Sequence, residues 1–488
     1  MHGYRAPPLT SAYDLKTLFP PYYNWGIYLL VGLIIRLVFF HISWASYIAI
    51  MISIYQFSLL FGSLDHIIPT RYLLGTFMCI QFFVGPTLAY NGLDPYAYFM
   101  YRMKIPEENY FAYAIPAVCL FILGTHINAG KYKGEVVDTK RIAIFVDRNP
   151  RLPYMFIIFG LLASVISARL SSELAFVFYL LGSLKFIGLF MLLLGTKRLK
   201  IIPLIIVTLS IVSSSLNSGM FHDLITWSVY AASIFAIKYK FGFNVKMMGL
   251  AAAVFVVTTI QVLKGNFRTQ QATNKSIDSG ADLFAEVYQQ KSKSGGLFNL
   301  NDLAQSNVRI NQGFIITNIM HNVPEVVPFQ NGAEMYKILE AAILPRILAP
   351  NKLNAGDQKI FMKYSGIGLA PGTSMGLSSL GDAYINWGVL GGCIFMFFLG
   401  LFYCVILNTF QKYSADYPAL ILFTALVFYY PIRPDCELQT ILGHVFKSLF
   451  FIWVIFQTWK YTFYVPRRAK LKTNLVSSQI PGNQTIPV

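Results

Sequence analysis

The chain has 488 residues, 55% of them hydrophobic and 12% charged, against roughly 25% charged residues in soluble globular proteins. That composition excludes an ordinary soluble domain and predicts an all-α polytopic membrane protein. The net charge of +17 would suit a nucleic-acid binder, but the basic residues sit in loops that flank apolar runs, so no nucleic-acid partner is expected.

The first twenty residues contain Arg5, Asp14 and Lys16 and no short apolar core ending in small residues, so the first span is expected to be its own signal anchor. Apolar runs follow at 24–41, 44–61, 72–90, 110–124, 153–168, 175–194, 201–216, 221–237, 247–263, 388–410, 418–430 and 441–459, which predicts about twelve transmembrane helices. The first two form one stretch too long for a single helix, so a break is expected at His41-Ile42-Ser43.

Lys131, Lys133, Lys140, Arg141, Arg148 and Arg151 share one loop. Lys197, Arg198 and Lys200 share a second, Lys238, Lys240 and Lys246 a third, and Arg467, Arg468, Lys470 and Lys472 the tail. On that count all four segments fall on one side, which the positive-inside rule makes the cytoplasm, with both termini there. The chain then divides into an N-terminal membrane region of about nine spans (1–263), a large extracytoplasmic loop domain between the ninth and tenth spans (264–385), a C-terminal membrane region of about three spans (386–460) and a cytoplasmic tail (461–488). Cys79, Cys119, Cys393, Cys404 and Cys436 lack metal-ligand spacing and are expected to form neither disulfide nor zinc site.

Within the loop domain, 264–296 is rich in Gln, Ser, Lys, Asn and Gly, briefly helical only over Ala281 to Tyr288, and reads as a mobile flap or tether. Asp302 is expected to cap a helix running to about Met320 that carries Arg309, and a second helix is expected over 333–344, ended by Pro345 next to Arg346. Gly356, Gly366, Gly368, Gly372, Gly376 and Gly381 then imply tight turns and close backbone approach before the chain re-enters the membrane. No internal repeat and no inverted pair of broken helices is evident.

Three strings mark this domain: Ser306-Asn307-Val308-Arg309-Ile310-Asn311-Gln312-Gly313, Ile343-Leu344-Pro345-Arg346-Ile347-Leu348-Ala349-Pro350-Asn351-Lys352, and Gly381-Asp382-Ala383-Tyr384-Ile385-Asn386-Trp387-Gly388 leading to Gly391-Gly392 and Gly400. With many spans and one large arginine-bearing loop in the C-terminal third, the chain resembles the Wzy-type O-antigen and exopolysaccharide repeat-unit polymerases. The resemblance implies a multi-pass enzyme of the bacterial inner membrane. It would join undecaprenyl-diphosphate-linked oligosaccharides by glycosyl transfer at the outer face, with a chain-length regulator protein as partner. An O-antigen ligase, for which His321-Asn322 leaves room, and a flippase or other transporter of lipid-linked sugars are the alternatives.

Breaking the bond between an anomeric carbon and a diphosphate oxygen builds negative charge on the leaving group, which the paired hydrogen bonds of arginine suit. Arg309 and Arg346 are therefore the expected catalytic cations, with Arg433, Lys352 and Arg268 as further phosphate contacts. Tyr384, Asn311 and Gln312 complete the expected substrate-binding set. The acceptor hydroxyl must lose a proton, for which Asp382, Glu334, Glu340, His321 and Asp223 are available, Asp382 first. Against these stand plainer roles: arginine at a membrane interface snorkels, Asp382 caps the helix that follows it, His321 ends its helix, and His222-Asp223 is a local pair. Lys185, Arg36 and Lys447 fall inside spans and need an interhelical carbonyl or hydroxyl, if not a lipid phosphate. Tyr90, Tyr96, Tyr98, Tyr101 and Tyr110 suggest a membrane belt or a sugar platform. No Asp-x-Asp pair occurs in an outer loop, so neither a metal nor another cofactor is expected.

Overall fold

A computed structural model describes residues 15–92, 101–132, 136–167, 172–218, 221–273, 286–289, 310–344, 348–349, 351–370 and 373–466. Among these residues the secondary structure is helical, apart from one isolated β-bridge between Ile67 and Val136. Seven helices are long and apolar enough to cross a membrane: Trp44–Ser63, Thr70–Tyr90, Glu107–His126, Phe176–Gly195, Phe243–Ile260, Ser378–Ser414 and Leu438–Thr458. The pair Thr139–Arg148 and Leu152–Ser167, bent by 84°, adds an eighth if it is one span. This is fewer than the twelve or so apolar runs, because Trp25–Val38, Ile201–Asn217 and Pro418–Val427 are shorter and His222–Tyr239 carries Asp223 and Lys238 near its ends.

The chain breaks after Val38 as the sequence predicts, and Ser43 restarts it by accepting the Ser46 N–H at 3.1 Å. Trp25–Val38 leaves Leu29, Leu30, Leu33 and Leu37 exposed, and only 6% of the Phe243–Ile260 window is buried. Helices apolar on their outward faces are stable there only against lipid. The latter helix also runs unbroken to Thr273, past the boundary expected at 264.

At the centre, Glu107–His126 lies against Ser378–Ser414. A Cβ on Gly124 would stand 2.4 Å from the Phe397 carbonyl oxygen, and one on Gly400 would stand 2.2 Å from that of Phe121, so the two backbones touch through hydrogens alone. Beside them Thr70–Tyr90 loosens into a π-turn at Ile80–Val84, just before Pro86. Proline has no N–H for the Phe82 carbonyl, which accepts the Tyr110 hydroxyl at 2.8 Å instead, and the Gln81 carbonyl takes the Gln312 N–H at 3.1 Å. The chain is therefore broken at Asn311-Gln312, and the described helix is Gly313–Asn322 rather than one continuous helix from Asp302.

The second break is in Ser378–Ser414, where Gly388 adopts φ 64° and ψ −156°. The carbonyls of Ile385 and Asn386, freed by this break, accept the N–H groups of Gln330 and Asn331 at 3.0 and 2.9 Å. Segment 310–344 is thereby stitched to the helix, and Ala333–Ile343 follows as the sequence predicts.

Contacts gather the basic loops at one end of the bundle. Lys246 pairs with Asp65 at 2.6 Å, Lys240 donates to the Asp65 carbonyl, Lys238 donates to that of Thr196 at 3.0 Å, and Arg141 donates to those of Ala415 and Val465.

Candidate functional site

The ten residues before the Gly388 break form a polar hub. Asp382 and Asn386 stand one turn apart and are 6% and 0% exposed. Asp382 Oδ2 accepts the N–H of Leu438, the first residue of Leu438–Thr458, at 3.2 Å. Asn386 Oδ1 accepts the N–H of Met335, in the first turn of Ala333–Ile343, at 3.2 Å, while its Nδ2 returns to the Asp382 carbonyl at 2.8 Å. Neither receiving helix has a side-chain cap of its own, since Glu437 and Gly332 occupy those positions without bonding the first turn's N–H groups. Each is capped from the hub instead.

Two helix N-termini are thus aimed at one place, and their first carboxylates come with them. Glu334, Asp382 and Glu437, with Asp357 from the loop before Gln358–Ser365, line a cavity of about 30 Å³, room for one water-sized molecule. Glu437 accepts the Gly356 N–H at 2.8 Å and the Thr440 hydroxyl at 2.7 Å, and Glu334 pairs with Lys337 at 2.8 Å. Burial pushes the Glu437 carboxyl up from its ordinary range. Burial, with the Glu334 carboxylate beside it, pushes the Tyr364 phenol well up. Phe361 and Tyr364 of Gln358–Ser365 form an aromatic wall, and Asn322 holds that helix's end by donating to the Lys363 and Tyr364 carbonyls at 2.9 and 3.1 Å.

Of the residues singled out from sequence, Asp382 and Glu334 meet here. Arg309 and Arg346 lie outside the described residues, as does the Arg268 side chain. Lys352 instead serves the other end of Ala333–Ile343, donating to the Ala341 and Leu344 carbonyls at 3.2 and 2.5 Å. Tyr384 is buried between Tyr113 and Phe329, and Asn311 is buried against Gly85. Gln312 contributes its backbone to the Thr70–Tyr90 break. His321 is exposed in the last turn of its helix, and Glu340 does not line the cavity. Arg433 pairs with Asp435 at 3.4 Å and lies over the Tyr430 ring. His222 pairs with Asp223 at 2.7 Å, and Tyr429 adds a hydroxyl to the same carboxylate.

Of the intramembrane cations, Lys185 finds the interhelical hydroxyls expected of it, whereas Arg36 turns to the loop after its own helix and Lys447 lies on an aromatic ring. Lys185 donates to the Ser164 and Ser210 hydroxyls at 2.9 and 3.1 Å, Arg36 donates to the Ile42 carbonyl at 2.7 Å, and Lys447 lies over Phe176. The tyrosine belt is corrected where it can be seen. Tyr110 is fully buried, Tyr90 donates to the Ile105 carbonyl at 3.0 Å, and Tyr101 packs on Phe314, while Tyr96 and Tyr98 lie outside the described residues.

Sequence reasoning missed Glu437, Asp357, Tyr364 and Asn386. The available signal was an acid placed just before an apolar run, as at Glu437. It also missed Arg71, buried at the basic end, which donates to the Thr125 carbonyl and to Asn408 Oδ1 at 2.7 Å. Among the described residues, no three His, Cys, Asp or Glu side chains are close enough together to hold a metal ion.

Fold and site together define, among the described residues, a helical protein with seven or eight helices able to cross a membrane, a polytopic membrane protein with an acidic cavity where the short helices Ala333–Ile343 and Gln358–Ser365 meet Ser378–Ser414 and Leu438–Thr458. Comparison with protein-family models, curated proteins and solved structures finds no match.

Proposed function

We propose that the protein is a membrane glycosyltransferase that extends a glycan at the outer face of the bacterial cytoplasmic membrane, joining oligosaccharide repeat units carried on undecaprenyl diphosphate. The observation that carries this reading is Asp382, a buried carboxylate in the first turns of the long apolar helix Ser378–Ser414, with three further carboxylates lining the same cavity. A general base must be held where the acceptor arrives. In this scheme the acceptor hydroxyl oxygen bonds to the anomeric carbon of the donor and its proton passes to Asp382. The carbon–oxygen bond to the diphosphate breaks, and its electron pair leaves with the phosphate.

The gathering of the basic loops at the opposite end supports a cytoplasmic position for those loops and an outward one for 264–385; with about twelve passes, as the apolar runs count them, both termini would lie inside. Arg433, and the sequence candidates Arg309 and Arg346, would meet the leaving diphosphate. Arg309→Ala or Arg346→Ala is expected to slow extension a hundredfold or more, on the order of 3 kcal/mol by analogy with the loss of one oxyanion donor, and Lys at either position is expected to rescue only in part. The test is incubation of purified protein with a synthetic polyprenyl-diphosphate repeat unit. A ladder of longer lipid-linked products is expected, and its absence from folded protein ends the polymerase reading.

A transporter of the same lipid-linked sugar is the second reading, favoured by Lys185, which is buried within Phe176–Gly195 and, among the described residues, donates to the Ser164 and Ser210 hydroxyls. Lys185→Met should then stop translocation into vesicles by a protein that builds no ladder.

A further inference from the structure

Three helix ends meet at the basic end of the bundle. Leu152–Ser167 and Ile201–Asn217 both take a hydrogen bond from Lys185 of Phe176–Gly195, through Ser164 and Ser210, so they flank that helix. Each turns an apolar face outward, with Ile158, Phe159 and Leu162 exposed on the first and Ile202, Ile205 and Leu209 on the second. Such faces belong against acyl chains. Thr139–Arg148 is bent 84° from Leu152–Ser167, so where the apolar helix crosses the bilayer its companion lies along the surface. It packs inward through Ile142, Phe145 and Val146, with Phe145 stacked on Phe463 at 5.4 Å, and Asn149 fixes the corner by donating to the Thr462 carbonyl at 3.3 Å.

A Cβ on Gly195 would stand 2.4 Å from Val146 Cγ2, which sets the turn after Phe176–Gly195 beside the end of Thr139–Arg148. Lys238 holds that turn through the Thr196 carbonyl at 3.0 Å. Segments 139–151 and 196–200 together carry seven Lys and Arg residues against one acid, Asp147. Arg141 is turned inward to the Ala415 and Val465 carbonyls, and the other six, Lys140, Arg148, Arg151, Lys197, Arg198 and Lys200, are exposed. Among the described residues the ion pairs all lie elsewhere, so none of the six is neutralised by the protein.

We infer that this corner binds anionic phospholipid, with the phosphate held by Arg148, Arg151, Lys197 and Arg198 and the acyl chains laid on the exposed faces of Leu152–Ser167 and Ile201–Asn217. The arginine fork matches the paired oxygens of a phosphodiester. The same cations would draw a free phosphate, but only a lipid also covers the apolar faces beside them. The inference is independent of both functional readings above, since it calls on neither glycosyl transfer nor transport.

The test uses full-length protein, delipidated in a neutral detergent, with its melting temperature followed against added dioleoyl phosphatidylglycerol or dioleoyl phosphatidylcholine. The rise with concentration gives an apparent affinity for each. Phosphatidylglycerol should bind at least about tenfold more tightly, and about 0.5 M NaCl should remove most of that advantage. Each cation near a membrane surface is worth about fivefold, so Arg148→Gln with Arg151→Gln should weaken phosphatidylglycerol binding about 25-fold. Lys197→Gln with Arg198→Gln, a second and separate variant, should do the same. Lys131→Gln with Lys412→Gln removes equal charge from exposed cations outside the corner and should leave the affinity within about twofold. Glycerophosphoglycerol, the same headgroup without acyl chains, should leave the melting temperature unchanged at the same concentration. Equal affinity for the two lipids, or a control variant as weak as the corner variants, overturns the inference. Stabilisation by glycerophosphoglycerol equal to that of the lipid overturns it as well, because the acyl chains would then contribute nothing.

Discussion

Asp382 and Asn386 show how one helical turn can organise three helices, because each side chain serves the N-terminus of a helix other than its own. Asp382 therefore has two separable jobs, cap and proposed base. Asp382→Asn keeps an oxygen for the Leu438 N–H but is a very poor base, so extension should stop while the melting temperature barely moves. Asp382→Ala should also lower stability by about 1 kcal/mol, the usual value of a lost cap. An active Asn variant would leave Asp382 with the capping job alone. Glu437 makes a pH prediction. Its folded pKa lies above its ordinary value of 4.5, so the stability it contributes is full below that value and lost as pH rises through the folded one. Glu437→Gln should flatten that part of the melting-versus-pH curve, and an unchanged curve would assign the dependence to another group. An acid at the head of an apolar run was legible in the sequence. Which helix it caps was not, since Leu438 lies 56 residues further on and no local pattern joins them.

At the scale of elements, the two breaks hold the extramembrane helices in place. Pro86 and Gly388 each free carbonyls inside an apolar helix, and Gln312, Gln330 and Asn331 supply the N–H groups that satisfy them. Gly388 has φ 64° and ψ −156°, and a Cβ there would lie 3.2 Å from Phe329 Cζ, so both backbone and space favour glycine. Gly388→Ala should cost about 1–3 kcal/mol in chemical unfolding, as for other strained backbone positions. Gly249→Ala, with open space around it on Phe243–Thr273, should be neutral or gain up to about 1 kcal/mol. Equal effects at the two sites would refute the account of the break. The glycine-rich string announced close approach in the sequence, but glycine permits many conformations and does not say which one is used. Pro86 was visible as well, yet the donors that answer this break come from residues 110 and 312.

For the whole molecule, hydropathy made the membrane class plain, since apolar periodicity is a local property and survives without tertiary information. The number of passes was less legible. A run such as 201–216 reads as a span by composition, while its helix, Ile201–Asn217, is shorter than the seven helices long and apolar enough to cross a membrane. Sidedness can be checked directly. Lys359→Cys on the exposed face of Gln358–Ser365 should react with an impermeant reagent added outside intact cells, and Arg198→Cys at the basic end should react only after lysis. The reverse pattern would invert the proposed topology and remove the outer-face reaction with it.

The bond between Asp382 and Leu438 also sets an order of assembly during synthesis. Asp382 leaves the ribosome before its partner does, so the acidic cavity can close only once Leu438–Thr458 has been threaded into the bilayer. A chain truncated after Glu437 should still reach the membrane with its earlier helices, but protease added outside should cut it within 353–370 faster than it cuts the full-length protein there. Maturation of the site would then be a late checkpoint, passed only by chains whose C-terminal helix has arrived.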